Sequence, residues 1–77
     1  MSEHLTMKGS EFLRKLRHYA RVHGVPCRFV PERGKGSHGT IYLGDRRTVI
    51  RNLKDELKSG TLYAMLKQLG IKESDLA

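Results

Sequence analysis

The residues best suited to chemistry form one basic, glycine-rich string, Arg33-Gly34-Lys35-Gly36-Ser37-His38-Gly39-Thr40. Histidine can accept or donate a proton near neutral pH, which makes His38 a candidate acid–base catalyst. The flanking glycines would let the backbone approach a phosphate closely, and the cations would attract it. A lone histidine in such a string is more often solvated, or binds phosphate without catalysis. The string by itself leaves both interpretations open.

The net charge also favours an anionic partner. The 77 residues include fifteen Lys and Arg against eight Asp and Glu, which gives a net charge of +7 and a pI near 10.0. The segment from Lys8 to Lys72 holds all fifteen basic residues but only five of the acids, so its net charge is +10. Nucleic acid is the commonest partner of such a protein, and an anionic membrane surface is the second alternative.

The composition argues against several classes of protein. No apolar run approaches the roughly 20 residues of a membrane span, and residues 1–7 lack the apolar core of an export signal. The single cysteine, Cys27, cannot form an internal disulfide or a cysteine-rich zinc site. We expect one cytoplasmic domain over residues 1–77, with a core over about 9–71, no metal or other cofactor, and no membrane partner.

Two amphipathic helices are predicted around the string. The first runs from Ser10, as its N-cap, to about His23, and the second runs from about Gly60 to Leu69 with Ser59 as its N-cap. Gly24 and Gly70 are suited to end them in the left-handed conformation. The stripes that recur at helical spacing and are to be buried are Phe12, Leu13, Leu16, Ala20 and His23 in the first helix and Leu62, Met65, Leu66 and Leu69 in the second.

Three strands are predicted between the helices. Short runs of strand-forming residues lie at Cys27–Val30, Thr40–Leu43 and Arg47–Ile50, and Gly44-Asp45 is typical of a hairpin turn. Residues 32–39 are predicted to form a loop. The order helix, three strands, helix indicates an α+β fold of two layers, in which both helices cover one face of a three-stranded antiparallel sheet.

Several segments together resemble the HicA toxins, which are small bacterial mRNA interferases. They are the Gly-Ser-His of residues 36–38, Leu57-Lys58-Ser59-Gly60-Thr61-Leu62 and Leu66-Lys67-Gln68-Leu69-Gly70-Ile71, and the resemblance extends over about residues 9–71. It implies a fold like that of double-stranded-RNA-binding domains and a metal-independent endoribonuclease that cleaves mRNA and arrests translation. It also implies a catalytic role for His38 and neutralisation by a HicB-type antitoxin.

The chain departs from the family pattern at two places. Many members carry a second histidine before the last helix, where this chain aligns Asn52. The segment from Pro26 to Lys35, which precedes the Gly-Ser-His, is longer than in many members. The alternative function is a non-catalytic RNA-binding module of the same fold, which would explain the charge and the fold equally well.

The candidate RNA-binding surface consists of basic residues and of the residues beside His38. Cations neutralise phosphates and position the strand, although a charged face is more often merely solvated. Tyr42 and Tyr63 could stack on bases or simply pack. No second proton carrier is evident, and water or Lys35 could share that work. The candidate RNA-binding residues are Arg28, Arg33, Lys35, Gly36, Ser37, Arg46, Arg47, Arg51, Lys54 and Lys58.

Overall fold

The computed structural model describes residues 6–76, in which two helices pack on a three-stranded antiparallel sheet. The sheet has the strand order β2-β3-β4, and the short strands β1 and β5 pair in a second, two-stranded sheet. In chain order the elements are β1 (Met7–Lys8), α1 (Gly9–His23), β2 (Cys27–Glu32), β3 (Lys35–Leu43), β4 (Arg46–Ile50), β5 (Glu56–Leu57), α2 (Ser59–Leu69) and a 3₁₀ turn (Glu73–Leu76).

The core lies between the helices and one face of the three-stranded sheet. Each large apolar side chain that is removed from water there contributes about 1.5–3 kcal/mol. The buried hydroxyl of Thr48 on β4 donates a hydrogen bond to Oε1 of Gln68 on α2, which ties the sheet to the helix. This arrangement confirms the predicted α+β fold and is consistent with a double-stranded-RNA-binding-domain-like architecture. The largest fully buried side chains are Phe12, Leu16, Ile41, Ile50 and Leu62.

The predicted C-caps of both helices are confirmed. Gly24 and Gly70 have φ values of +67° and +73°, in the left-handed region that glycine adopts without steric cost. After the second cap, the Ile71 N–H donates to the Leu66 carbonyl, and the Ile71 side chain packs against the core.

The predicted N-caps, in contrast, are wrong. Ser10 and Ser59 lie inside the helices, and the N-cap positions belong to Lys8 and Lys58, neither of which forms a side-chain cap hydrogen bond. At α1 the Ser10 N–H donates instead to the Leu53 carbonyl at 2.8 Å. The pairing of β1 with β5 brings the segment of Leu53 to the helix terminus, so a backbone carbonyl from a distant segment satisfies one of the free amides of the first turn.

The predicted loop over residues 32–39 is also wrong. Only Arg33 and Gly34 form a turn, β2 extends to Glu32, and β3 already begins at Lys35. Pro31 does not end β2, because that strand is at the edge of the sheet and a proline there need not donate to a neighbour. The polar connection over residues 51–58 contains the short strand β5.

Gly39 marks the closest approach between β3 and β2. It is buried, and a Cβ atom at this position would clash with the Val30 carbonyl oxygen and lie 2.8 Å from Cα of Pro31. The prediction that Gly39 makes room for a phosphate is therefore wrong, because the backbone of β2 occupies that space. At Gly36, no atom lies within 4 Å of such a Cβ.

We predict that Gly39→Ala lowers the free energy of unfolding by about 2 kcal/mol or more, because the methyl group must push β2 and β3 apart. Gly36→Ala is the matched control, since it makes the same change in the same strand beside open space. Urea denaturation of the two variants measures the difference. Equal stability of Gly39→Ala and the wild type would contradict the close packing.

Candidate active site

His38 lies in a bulge of β3. Pro31 on β2 pairs with Gly39, but the next residue, Glu32, pairs with Lys35, so residues 36–38 have no partner on β2 in this register. The pairing of β3 with β4, as far as residues 6–76 show it, begins at Gly39. A bulge changes the direction of side chains and is frequent beside active sites. The extra residues here include the histidine that the sequence singles out.

The imidazole of His38 is on the sheet face opposite the helices. Its neighbours Gly39 and Ile41 are buried toward the core, and successive residues of a strand alternate between faces. The His38 side chain is 31% exposed. The ring is therefore partly held by the sheet and still accessible to a ligand.

A carboxylate that sequence reasoning missed lies beside this ring. Oε1 of Glu32 is 3.3 Å from Nδ1 of His38, and this is the only contact within ion-pair distance in the described part of the chain. The two residues are six positions apart in the sequence. Only the hairpin register brings them together, so neither residue type nor spacing in the sequence could have revealed the contact.

Two predicted RNA-binding arginines share the exposed face with His38. In cross-strand register, Tyr42 of β3 lies between Arg28 of β2 and Arg47 of β4. The Arg28 guanidinium carbon is 5.5 Å from the centre of the Tyr42 ring, within the range of a cation–π interaction. The neighbouring cross-strand row, which consists of Val30, Thr40 and Val49, is less polar. We call this surface the open face and define it as Arg28, Val30, His38, Thr40, Tyr42, Arg47 and Val49.

Arg46 is separated from the open face. It precedes Arg47 in β4 and therefore points to the opposite side of the sheet. Its guanidinium lies against Gly70, where a Cβ would be 2.8 Å from Nε. A cation near the last carbonyls of α2 is favourable for the helix. Arg46 thus packs against the end of α2, whereas Arg47 is exposed on the open face.

The remaining predicted basic residues are distributed around the sheet. Arg33 is exposed in the turn between β2 and β3, and Lys54 is exposed in the connection after β4. Arg51 and Lys58 line a cleft of about 250 Å³ between the end of β4 and α2. Gly36 is exposed in the bulge, whereas the side chains of Lys35 and Ser37 lie outside the described part of the structure.

Asn52, which aligns with the second histidine of many family members, has a local role. Its Oδ1 accepts a hydrogen bond from the Lys54 N–H at 2.9 Å, which stabilises the turn after β4. Tyr63 is also engaged, because its hydroxyl donates to Oε1 of Glu73 at 2.9 Å. This hydrogen bond raises the pKa of the Tyr63 phenol above its ordinary value.

The other histidines lack comparable surroundings. His18 is exposed on α1, and the ring of His23 packs against Tyr19 with 4.2 Å between centroids. His4 lies outside the described residues. Over residues 6–76, no three His, Cys, Asp or Glu side chains come together as potential ligands of a metal ion. Neither do the helices of this region combine the length and apolarity needed to cross a membrane.

The fold and the site define a small, basic α+β protein with an accessible histidine on its sheet. The family model described as HicA toxin of bacterial toxin-antitoxin matches residues 27–71, more than half of the chain. The chain therefore belongs to the HicA toxin family, and this membership implies an antitoxin partner. The matched range includes the whole three-stranded sheet and α2. No curated protein and no solved structure matches the chain significantly.

The thiol of Cys27 is predicted to react slowly. Burial raises its pKa above the ordinary value, and the nearby positive charge of Arg17 offsets this only in part. Because the thiolate is the nucleophile, folded protein at pH 8 should be alkylated by iodoacetamide more slowly than protein unfolded in urea. Mass spectrometry of the two reactions checks this, and equal rates would show that Cys27 is as accessible and acidic as a free thiol.

Proposed function

We propose that this protein is an endoribonuclease toxin that binds and cleaves mRNA in the bacterial cytoplasm and thereby arrests translation. The observation that best supports this function is the position of His38, accessible in a bulge and on the same face as two arginines. Family membership supports it independently. A HicB-type antitoxin would neutralise the toxin.

The proposed reaction uses the nucleophile that RNA itself carries. The 2′-hydroxyl oxygen attacks the adjacent phosphorus, so an O2′–P bond forms while the P–O5′ bond breaks. The products are a 2′,3′-cyclic phosphate and a free 5′-hydroxyl. One proton must leave the 2′-hydroxyl and another must reach O5′, and an imidazole can carry out either transfer. Because the nucleophile is internal, no metal-bound water is required, and a water molecule or Lys35 would carry the second proton.

The open face offers a path for a single-stranded segment next to His38. Tyr42 is four residues from His38 in the same strand, about 13 Å at the usual rise of β structure. Arg28 and Arg47 would neutralise phosphates on either side of a base stacked on Tyr42. No described arginine has a carboxylate within 4.0 Å, so these guanidinium groups are free for phosphate.

The same surface suits an antitoxin. An acidic partner that covers the open face would neutralise its arginines and exclude RNA from His38. The exposed side chains of Val30 and Val49 would add apolar contact area to this interface. Direct occlusion of the histidine is therefore the mode of inhibition that we propose.

A second candidate function is RNA binding without cleavage, and a feature of α1 favours it. Arg14, Arg17 and Arg21 are exposed and line a groove of about 490 Å³ together with His18. This groove belongs to the helix layer, whereas His38 is on the opposite side of the sheet. It could hold a phosphate backbone without any contribution from His38.

We predict that His38→Ala abolishes RNA cleavage and growth arrest while the fold and the RNA affinity stay close to those of the wild type. The reason is that the substitution removes a proton carrier from a partly exposed position outside the core and leaves the core intact. Gel analysis of RNA incubated with purified protein measures cleavage, and wild-type cleavage should persist in EDTA. Cleavage by His38→Ala at the wild-type rate would eliminate the catalytic role.

RNA binding by the open face is predicted to depend on Arg28 and Arg47 and not on Arg46, the neighbour of Arg47. In a His38→Ala background, Arg28→Ala with Arg47→Ala should reduce the slope of log affinity against log salt by about 1.4, since each phosphate contact on a single strand contributes about 0.7. Arg46→Ala is the matched control and should leave the slope unchanged. Fluorescence anisotropy with a labelled single-stranded RNA gives both values.

The opposite pattern would favour the second candidate function. If replacing Arg14, Arg17 and Arg21 with alanine removed the salt dependence while the Arg28 and Arg47 variants retained it, RNA would bind to α1. The open face would then not be the path of the substrate.

A further inference from the structure

We propose that Glu32 is a positioning residue that orients the imidazole of His38, an inference that rests on the proposed ribonuclease function. In this arrangement Nδ1–H of His38 donates a hydrogen bond to the Glu32 carboxylate, and the proton stays on the ring. The ring then presents Nε2 to the RNA with a free lone pair. No feature of the sequence assigns this role to Glu32.

The geometry of the two side chains supports the proposal. Nδ1 of His38 and Oε1 of Glu32 are 3.3 Å apart, just beyond the usual distance of an N–H···O hydrogen bond. An ionised carboxylate can only accept hydrogen bonds, so it selects the ring form whose proton is on Nδ1. The partner of one ring nitrogen thus determines what the other nitrogen can do.

The backbone holds both residues in place. Glu32 is the last residue of β2, and the two-residue turn Arg33–Gly34 connects it to β3. On the other side of His38, the close packing of Gly39 against Val30 prevents β3 from moving along β2. The bulge is therefore confined between a tight turn and a steric contact, and Glu32 stays beside the ring.

Among the described side chains, His38 is the one within ion-pair distance of the Glu32 carboxylate. Glu32 has basic neighbours in the sequence, yet none of the described Lys or Arg side chains lies within 4.0 Å of its carboxylate. The Glu32 side chain is 51% exposed, and exposed ion pairs contribute little to stability. We therefore expect the contact to matter for the orientation of the ring and not for the stability of the fold.

The first test is single-turnover cleavage by Glu32→Ala, which removes the acceptor, and by Glu32→Gln, which keeps an acceptor without the charge. The rate constant of Glu32→Ala should fall roughly ten- to hundredfold, the usual cost of losing a partner that orients a histidine, and Glu32→Gln should lose less. The RNA affinity should be unchanged or higher, because a negative charge has been removed. Asp45→Asn, which removes an equal charge at the far end of β3, should cleave at the wild-type rate.

The second test needs no RNA. Imidazole ¹⁵N spectra, with the His38 signals identified by their loss in His38→Ala, report which ring nitrogen carries the proton. The neutral ring should be protonated mainly on Nδ1 in the wild type and mainly on Nε2 in Glu32→Ala. Thermal unfolding of Glu32→Ala should match the wild type, which separates an effect on the ring from a loss of structure.

Distinct results would overturn the inference. If cleavage depends on His38 but Glu32→Ala retains the wild-type rate, the proposed function stands and the positioning role is wrong. If Glu32→Ala loses activity while the ¹⁵N spectrum is unchanged, Glu32 acts on the RNA directly and not through the ring. If the wild type cleaves no RNA at all, the proposed function itself fails.

Discussion

The site depends on one steric constraint, the absence of a side chain at Gly39. Because no Cβ separates the strands there, the backbone of β3 packs directly against Val30 and Pro31 of β2. Between Gly39 and the turn, β3 contains three residues that have no partner on β2, and one of them is His38. A bulge of this kind presents the imidazole from a strand of the sheet and not from the loop that glycine content suggests.

The positive charges around the His38 ring determine which ligands are attracted to it. The segment from Lys8 to Lys72 carries a net charge of +10, and no arginine in the described chain is neutralised by an ion pair. Such a surface raises the local concentration of any polyanion before specific contacts form. The same surface favours an acidic protein partner, so one set of charges would serve both substrate capture and inhibition. RNA and the antitoxin would therefore compete for the same charged surface.

The sequence predicted the architecture well because the core is formed by apolar side chains that recur at regular spacings along the chain. The stripe from Leu62 to Leu69, the glycine caps and the hairpin at Gly44-Asp45 are local signals, and the structure has each of them. The bulge was not predictable, because glycine is common both in loops and at close contacts between strands. The Glu32–His38 contact depends on the register of the hairpin, and at α1 backbone carbonyls from a distant segment accept from the first helical amides in place of a serine cap. Non-local pairing thus accounts for what local patterns missed.

The central claim is that His38 promotes attack by the 2′-hydroxyl of RNA, and the chemistry of the cleaved ends tests it most directly. RNA should be cleaved by purified wild-type protein in the presence of EDTA, and its new ends analysed by mass spectrometry. If His38 promotes this attack, the new ends are 2′,3′-cyclic phosphates and 5′-hydroxyls, and they are absent from the reaction with His38→Ala. Products with 3′-hydroxyls and 5′-phosphates, which arise when water attacks the phosphorus, would contradict it.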